Sequence, residues 1–115
     1  MKIFDWEEFK NNRNYIVVHC KTEEDANDFC KQMHEHQMKW CSGKSYLNYT
    51  NWKVYKQETC YSNHGTYGTV DCYETNHFNN YIILEYSDYF ETDWVETIEE
   101  FILRTGRKVE YMEDN

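Results

Sequence analysis

The spacing of apolar and polar residues is clearest in residues 14–40, where it predicts a strand, a helix and a return strand. Residues 15–20 are β-branched or apolar almost throughout, which is typical of a central strand covered on at least one face. Thr22 is a suitable N-cap, and acidic residues follow it in the first helical turn. Residues 38–41 are then expected to return as a short strand beside the first. The buried stripe of the helix is predicted to comprise Ala26, Phe29, Cys30, Met33 and Gln37.

Two less regular stretches lie on either side of this run. Asp5 and Glu8 have the spacing of a capping box, which predicts a short helix over residues 5–11. Residues 45–57 alternate only in part, and they predict a loop followed by a short helical or extended segment.

A hairpin and a second strong strand are predicted next. Residues 59–62 and 70–74 flank the turn-rich sequence NHGTYGT, which is typical of a hairpin with a longer loop. Residues 76–80 predict a further turn, since they include three asparagines. Residues 81–86, with the sequence YIILEY, predict a strand that pairs beside residues 15–20.

The end of the chain predicts a second long helix. Thr92 is its expected N-cap, and Gly106 has the position of a C′ residue. Residues 107–112 are expected to return as an edge strand. The apolar stripe of this helix comprises Val95, Ile98, Phe101, Ile102 and Thr105.

Together these elements predict one α+β domain over residues 1–115. Its sheet is antiparallel or mixed, with about four to five strands, and the two main helices pack on one face. The absence of Pro- or Gly/Ser-rich linkers supports a single domain.

Charge narrows the function classes, because the chain carries a net charge of -9. Direct binding of free DNA or RNA is disfavoured, since such domains are normally basic. From Glu85 onward the sequence has ten acidic and three basic residues, so most of the net negative charge belongs to this part. The predicted helix over residues 92–105 is either a solvated surface or a mimic of nucleic acid that binds a basic groove. The acids of this candidate partner-binding surface are Asp88, Glu91, Asp93, Glu96, Glu99 and Glu100.

Aromatic residues crowd the middle of the chain, and most are expected in the core because Leu and Ile are scarce. Tyr61, Tyr67 and Tyr73 are expected to be partly exposed on the hairpin. Exposed Tyr and Trp dominate interface energies, so partner binding is predicted at Trp52, Tyr55, Tyr61 and Tyr67. Rings of this kind also stack on bases, which leaves open a nucleotide pocket with Lys44, Lys53 or Lys56.

Five cysteines and five histidines raise two further possibilities. Cys30/His34 and Cys60/His64 share a spacing of four residues and could supply a zinc site, but no CxxC knuckle accompanies them. Buried thiols with surface imidazoles are the favoured interpretation. A Cys nucleophile with a His base is disfavoured, because no glycine-rich oxyanion turn lies near any cysteine. We therefore predict no catalytic residue, no metal and no cofactor.

Several of these sequences together resemble a family. IVVHCKTEEDANDFC, KWCSGKS, TNWKVYKQETCYS and YIILEYSDY are similar to small uncharacterised proteins of phages and prophages of low-GC Gram-positive bacteria. The resemblance covers residues 15–89 and omits the acidic helix. It implies a phage context, in which accessory proteins bind and inhibit host machinery, including defence systems such as CRISPR.

The leading hypothesis is a non-enzymatic phage-derived protein that inhibits a host defence protein or ribonucleoprotein, as an anti-CRISPR with an acidic surface would. The alternative is a protein that sequesters a nucleotide signal, with Arg104 and Arg107 as further candidate ligands. We expect no membrane partner, and a homodimer is left open. An odd cysteine number and an N-terminus without an apolar segment predict a soluble protein in the host cytoplasm.

Overall fold

The structure is a computed structural model that describes residues 2–90. A 3-10 turn, Lys56–Glu58, lies between the helix Trp52–Tyr55 and the strand Thr59–Ser62. The helices are Trp6–Lys10 (α1), Glu23–Glu35 (α2), Trp52–Tyr55 (α3), Val70–Glu74 (α4) and Tyr86–Tyr89 (α5). The strands are Ile16–His19 (β1), Thr59–Ser62 (β2), Tyr67–Thr69 (β3) and Ile82–Glu85 (β4).

The four strands form one mixed sheet in the order β3-β2-β1-β4. β1 is central, as predicted, because it pairs antiparallel with β2 and parallel with β4. β2 and β3 form an antiparallel hairpin. The sheet together with its helices confirms the α+β fold class, and the pairing of β4 with β1 confirms the prediction for the YIILEY strand.

Each face of β1 packs against a different cluster. Ile16 and Val18 belong to the main core, which contains the stripe of α2 and Phe9 of α1. Val17 points to the opposite face and packs with Cys60 and Tyr73 in a smaller cluster. Because both faces are covered, β1 is apolar at consecutive positions rather than at alternate ones.

Helix α2 begins as predicted, since the Thr22 hydroxyl accepts a hydrogen bond from the Asp25 N–H at 3.1 Å. Its stripe is confirmed as far as Met33, but Gln37 was wrongly included. Gln37 lies beyond the helix with a φ of 66°, and its side chain is exposed. The predicted strand over residues 38–41 is also wrong. This stretch is irregular, and the strand parallel to β1 is β4.

The hairpin is confirmed, but its second strand was misplaced. Tyr67–Thr69 pairs with β2, whereas Val70–Glu74, predicted as a strand, is helix α4. The Thr69 hydroxyl accepts a hydrogen bond from the Cys72 N–H at 3.1 Å, and this cap starts the helix.

The short first helix, the asparagine-rich turn and the loop before α3 agree with the sequence predictions. Asp5 caps α1 through the Glu8 N–H, and Asn76 accepts hydrogen bonds from two later N–H groups in the predicted turn. Residues 45–57 form a loop followed by helix α3, as one of the two interpretations had it. The predicted helix over residues 92–105 and the edge strand over residues 107–112 lie outside the described residues.

Candidate functional site

The candidate site is built on residues 39–57, between α2 and β2. This stretch carries four lysines and no acid, in a chain whose net charge is -9. Gly43, with a φ of 91°, permits a tight turn in which the Trp40 N–H donates to the Lys44 carbonyl at 3.0 Å. The Lys44 ammonium then lies 5.5 Å from the centre of the Tyr49 ring, within the range of a cation–π contact.

Trp40 anchors the first half of this stretch in the core. Its indole N–H donates to the Tyr49 carbonyl at 2.9 Å, which fixes the path of the following loop. Its ring lies 4.6 Å from that of Tyr46 and 5.6 Å from that of Tyr67, measured between centroids. Tyr46 is buried, and its hydroxyl has no hydrogen-bond partner within residues 2–90.

The second half is tied to the sheet by side chains that bind backbone carbonyls. The Tyr61 hydroxyl donates to the Thr50 carbonyl at 2.7 Å, and the Trp52 indole N–H donates to the Cys20 carbonyl at 3.0 Å. Between these two anchors Asn51 adopts a left-handed φ of 59°, a conformation that costs a non-glycine residue energy. The turn that begins α3 is therefore held in place by the sheet beneath it.

Two cavities open on this surface and share Tyr49 and Asn51 as lining residues. The larger has a volume of about 540 Å³ and the smaller a volume of about 350 Å³. The larger is lined by Trp40, Cys41, Ser42, Lys44, Tyr49, Asn51, Gly65, Thr66 and Tyr67. The smaller is lined by Glu23, Asn48, Tyr49, Thr50, Asn51, Trp52, Lys53 and Val54.

Gly65 joins the hairpin turn to the wall of the larger cavity. Its carbonyl accepts a hydrogen bond from the Cys41 N–H at 3.0 Å. A Cβ atom at this position would lie 2.4 Å from the Cys41 nitrogen and 3.0 Å from the Lys39 carbonyl oxygen. Only glycine fits here, because both contacts are with backbone atoms and the φ is +82°.

Five side chains line the two cavities or contact a lining residue, and we call them the aromatic surface. Tyr55 and Tyr67 lie 5.7 Å apart between ring centroids, and the cavities connect the other members. Three of the five side chains are exposed, with Val54 at 57% and Tyr55 at 42%. The members of the aromatic surface are Tyr49, Trp52, Val54, Tyr55 and Tyr67.

The aromatic residues predicted to contact a partner divide into two groups. Trp52, Tyr55 and Tyr67 are brought together on the aromatic surface. The expected exposure of Tyr61 and Tyr73 is wrong, because Tyr61 is fully buried and Tyr73 nearly so. Burial raises the pKa of the Tyr61 phenol far above its usual range, so its hydroxyl stays protonated and serves as a donor.

Two parts of the site were missed from the sequence. Val54 and Asn51 were not singled out, although Val54 is exposed and Asn51 lines both cavities. The lack of any acid between Lys39 and Gln57 was the available signal for this surface.

Of the predicted acidic surface, the described residues contain only Asp88. It is exposed on α5, and its backbone carbonyl accepts a hydrogen bond from the Lys2 N–H at 3.0 Å. The other acids of that prediction, and the two arginines considered as nucleotide ligands, lie outside the described residues. They are Glu91, Asp93, Glu96, Glu99, Glu100, Arg104 and Arg107.

One Cys, one His and one Glu lie in a row across the sheet. His19 is paired in register with Cys60 on one side and Glu85 on the other. Its Nδ1 is 2.9 Å from the Glu85 carboxylate and its Nε2 is 2.7 Å from the Gln57 carbonyl. These two contacts hold the imidazole ring between β4 and the 3-10 turn.

This row is unsuited to activating a thiol. Both ring nitrogens of His19 are already engaged, one by Glu85 and the other by the Gln57 carbonyl, so neither is free to take a proton from Cys60. Burial, reinforced by nearby carboxylates, raises the pKa of the Cys60 thiol to about 12, so it stays protonated near neutral pH. The row instead holds the 3-10 turn against the sheet.

The zinc site considered from the sequence has no matching cluster of ligands among residues 2–90. There, no group of three or more His, Cys, Asp or Glu side chains could hold a metal ion. Cys30 is buried in the core, whereas His34 is exposed. Burial raises the pKa of the Cys30 thiol to about 12.

Comparison with known proteins adds no relative. No protein-family model, no curated protein and no solved structure matches this chain. Between residues 2 and 90, no helix has both the length and the apolar character needed to cross a membrane.

Proposed function

We propose that this chain is a non-enzymatic binding protein that inhibits a component of a bacterial host's defence, and that the aromatic surface contacts this component. The observation that carries the proposal is the exposure of Tyr49, Val54 and Tyr55 on a stretch tied to the sheet. Tyrosine contributes large contact areas at low entropic cost, and a fixed backbone lowers that cost further. Such a surface suits a protein partner.

The defence context rests on the resemblance to small phage and prophage proteins. An anti-CRISPR activity is one form of such inhibition, and the partner is then a defence protein or ribonucleoprotein. The acids predicted on residues 92–105 complement the basic grooves by which ribonucleoproteins hold nucleic acid. They form a second predicted contact, apart from the aromatic surface.

A plasmid-interference assay tests the proposal. The protein is expressed in a low-GC Gram-positive host with active CRISPR interference, and transformation by a targeted plasmid is counted. Wild type is expected to raise transformation to the level of a non-targeted plasmid. Val54→Asp is expected to abolish this effect, because a charge in a desolvated contact is costly. Phe78→Asp is the matched control, since Phe78 is 92% exposed and lies outside the aromatic surface.

The same assay separates the two predicted contacts. Reversal of Glu96, Glu99 and Glu100 to Lys removes inhibition if the acidic residues bind a basic groove, and binding should then weaken with salt. If wild type fails to inhibit any defence system of its host, the proposal is wrong. If Val54→Asp inhibits as well as Phe78→Asp, the aromatic surface is not the contact.

A further inference from the structure

We propose that the larger cavity of about 540 Å³ binds a nucleotide, with the base against its aromatic rings and the phosphate against Lys44. This site is separate from Val54, which lines only the smaller cavity. The proposal goes beyond binding of a protein partner and gives the chain a second ligand of defined chemistry.

The walls of the cavity suit a planar aromatic ring. Trp40, Tyr49 and Tyr67 are among its lining residues, and of these Tyr49 is exposed and Tyr67 half-buried, so these two tyrosines are accessible to a ligand. Aromatic side chains of this kind stack on any of the bases, because every base has a π face. The volume also falls within the range of about 300–1,000 Å³ that is usual for small-molecule sites.

The charge around the cavity selects an anion. Lys44 is the one charged residue among the described residues that line the cavity, and the segment that carries it, residues 39–57, has four lysines and no acid. Lys44 lines the cavity and makes no ion pair within residues 2–90, whereas the Lys53 ammonium lies 3.9 Å from a carboxylate oxygen of Glu23. An ammonium that lies beside the Tyr49 ring and has no carboxylate partner among the described residues matches a phosphate attached to a base.

Asn51 can supply recognition of the base. Its side-chain amide makes no hydrogen bond within the described residues, although it lines the cavity and is half-buried. An amide offers both a donor and an acceptor, which is the pattern that base edges present. Hydrogen bonds of Tyr61 and Trp52 fix the chain on either side of Asn51, so the backbone that carries the amide is in place before any ligand binds.

Isothermal titration of the full chain with AMP, ADP-ribose, adenosine and inorganic phosphate tests this site. At least one of the two nucleotides is expected to bind more tightly than adenosine or phosphate alone, and binding should weaken with added salt. Lys44→Gln and Tyr49→Ala are each expected to raise the Kd about tenfold or more. Lys31→Gln, which changes an exposed lysine on α2, should leave the Kd unchanged.

Three outcomes would overturn the proposal. One is no heat of binding with either nucleotide at millimolar concentration. Another is nucleotide binding that Lys44→Gln and Tyr49→Ala leave intact, since the ligand would then lie elsewhere. The third is a single-stranded oligonucleotide that binds far more tightly than AMP and depends on the same two side chains, which would make the surface a nucleic-acid site.

Discussion

Replacement of Gly65 by Ala tests whether the contact between the hairpin turn and the loop after Trp40 is as close as the structure has it. The new Cβ would lie 2.4 Å from the Cys41 nitrogen, so one of the two backbones must move. That movement would also strain the hydrogen bond from the Cys41 N–H to the Gly65 carbonyl. Gly43→Ala is the matched control, because its φ is +91° but nothing lies within 4 Å of its Cβ position.

The two substitutions share one energetic cost and differ in the other. A side chain in the left-handed region costs roughly 1–2 kcal/mol, and this cost applies at both positions. Overpacking against rigid neighbours adds about 1–3 kcal/mol, and this cost applies only at Gly65. We therefore expect Gly43→Ala to lower the free energy of unfolding by about 1–2 kcal/mol and Gly65→Ala by about 2–5 kcal/mol.

Urea unfolding followed by tryptophan fluorescence measures both values on the full chain, with far-UV circular dichroism as a second probe. The difference between the variants is the informative quantity, since the shared cost cancels. If Gly65→Ala is no less stable than Gly43→Ala, the close approach of residues 39–41 to the hairpin turn is wrong, and so is the wall of the larger cavity.

Two further predictions concern the hydroxyls of two buried tyrosines and the five cysteine thiols. Tyr61→Phe should lower the free energy of unfolding by about 1–3 kcal/mol because the Thr50 carbonyl loses its donor, whereas Tyr46→Phe should be neutral or stabilising because its hydroxyl has no partner within residues 2–90. Equal destabilisation in urea would contradict this contrast. In native protein, Ellman's reagent should modify the exposed thiols rapidly and the buried thiols only after unfolding, and rapid reaction of all five cysteines would refute the described burial. The exposed thiols are Cys41 and Cys72, and the buried ones are Cys20, Cys30 and Cys60.

The elements that could be predicted from the sequence are those with local signals. Helix α2 has an N-cap at Thr22 and an apolar stripe, and β1 has an unbroken run of β-branched residues. Both signals act between residues close in the chain, so a single sequence is sufficient to read them. The prediction of a strand over residues 70–74 failed because their short apolar pattern suits a strand as well as a helix. The N-cap at Thr69 favours the helix that forms.

The site depends on contacts that the sequence does not display. Tyr61 was expected to be partly exposed because it lies on the hairpin, and the sequence does not say which faces of the hairpin are covered. In the fold both faces of the sheet are covered at β2, so Cys60 and Tyr61 are both buried. Likewise, Gly65 and Cys41 are far apart in the chain and meet only through the hairpin. Both residues line the larger cavity, so its wall depends on that contact.

Affinity capture from an infected, defence-competent host tests the central claim most directly, because it asks whether the aromatic surface binds a defence component. Tagged wild type and Phe78→Asp are expected to retain the same defence protein or ribonucleoprotein, identified by mass spectrometry. Val54→Asp is expected to lose it while remaining folded by circular dichroism. Retention of no defence component by wild type, or equal retention by folded Val54→Asp, would contradict the account.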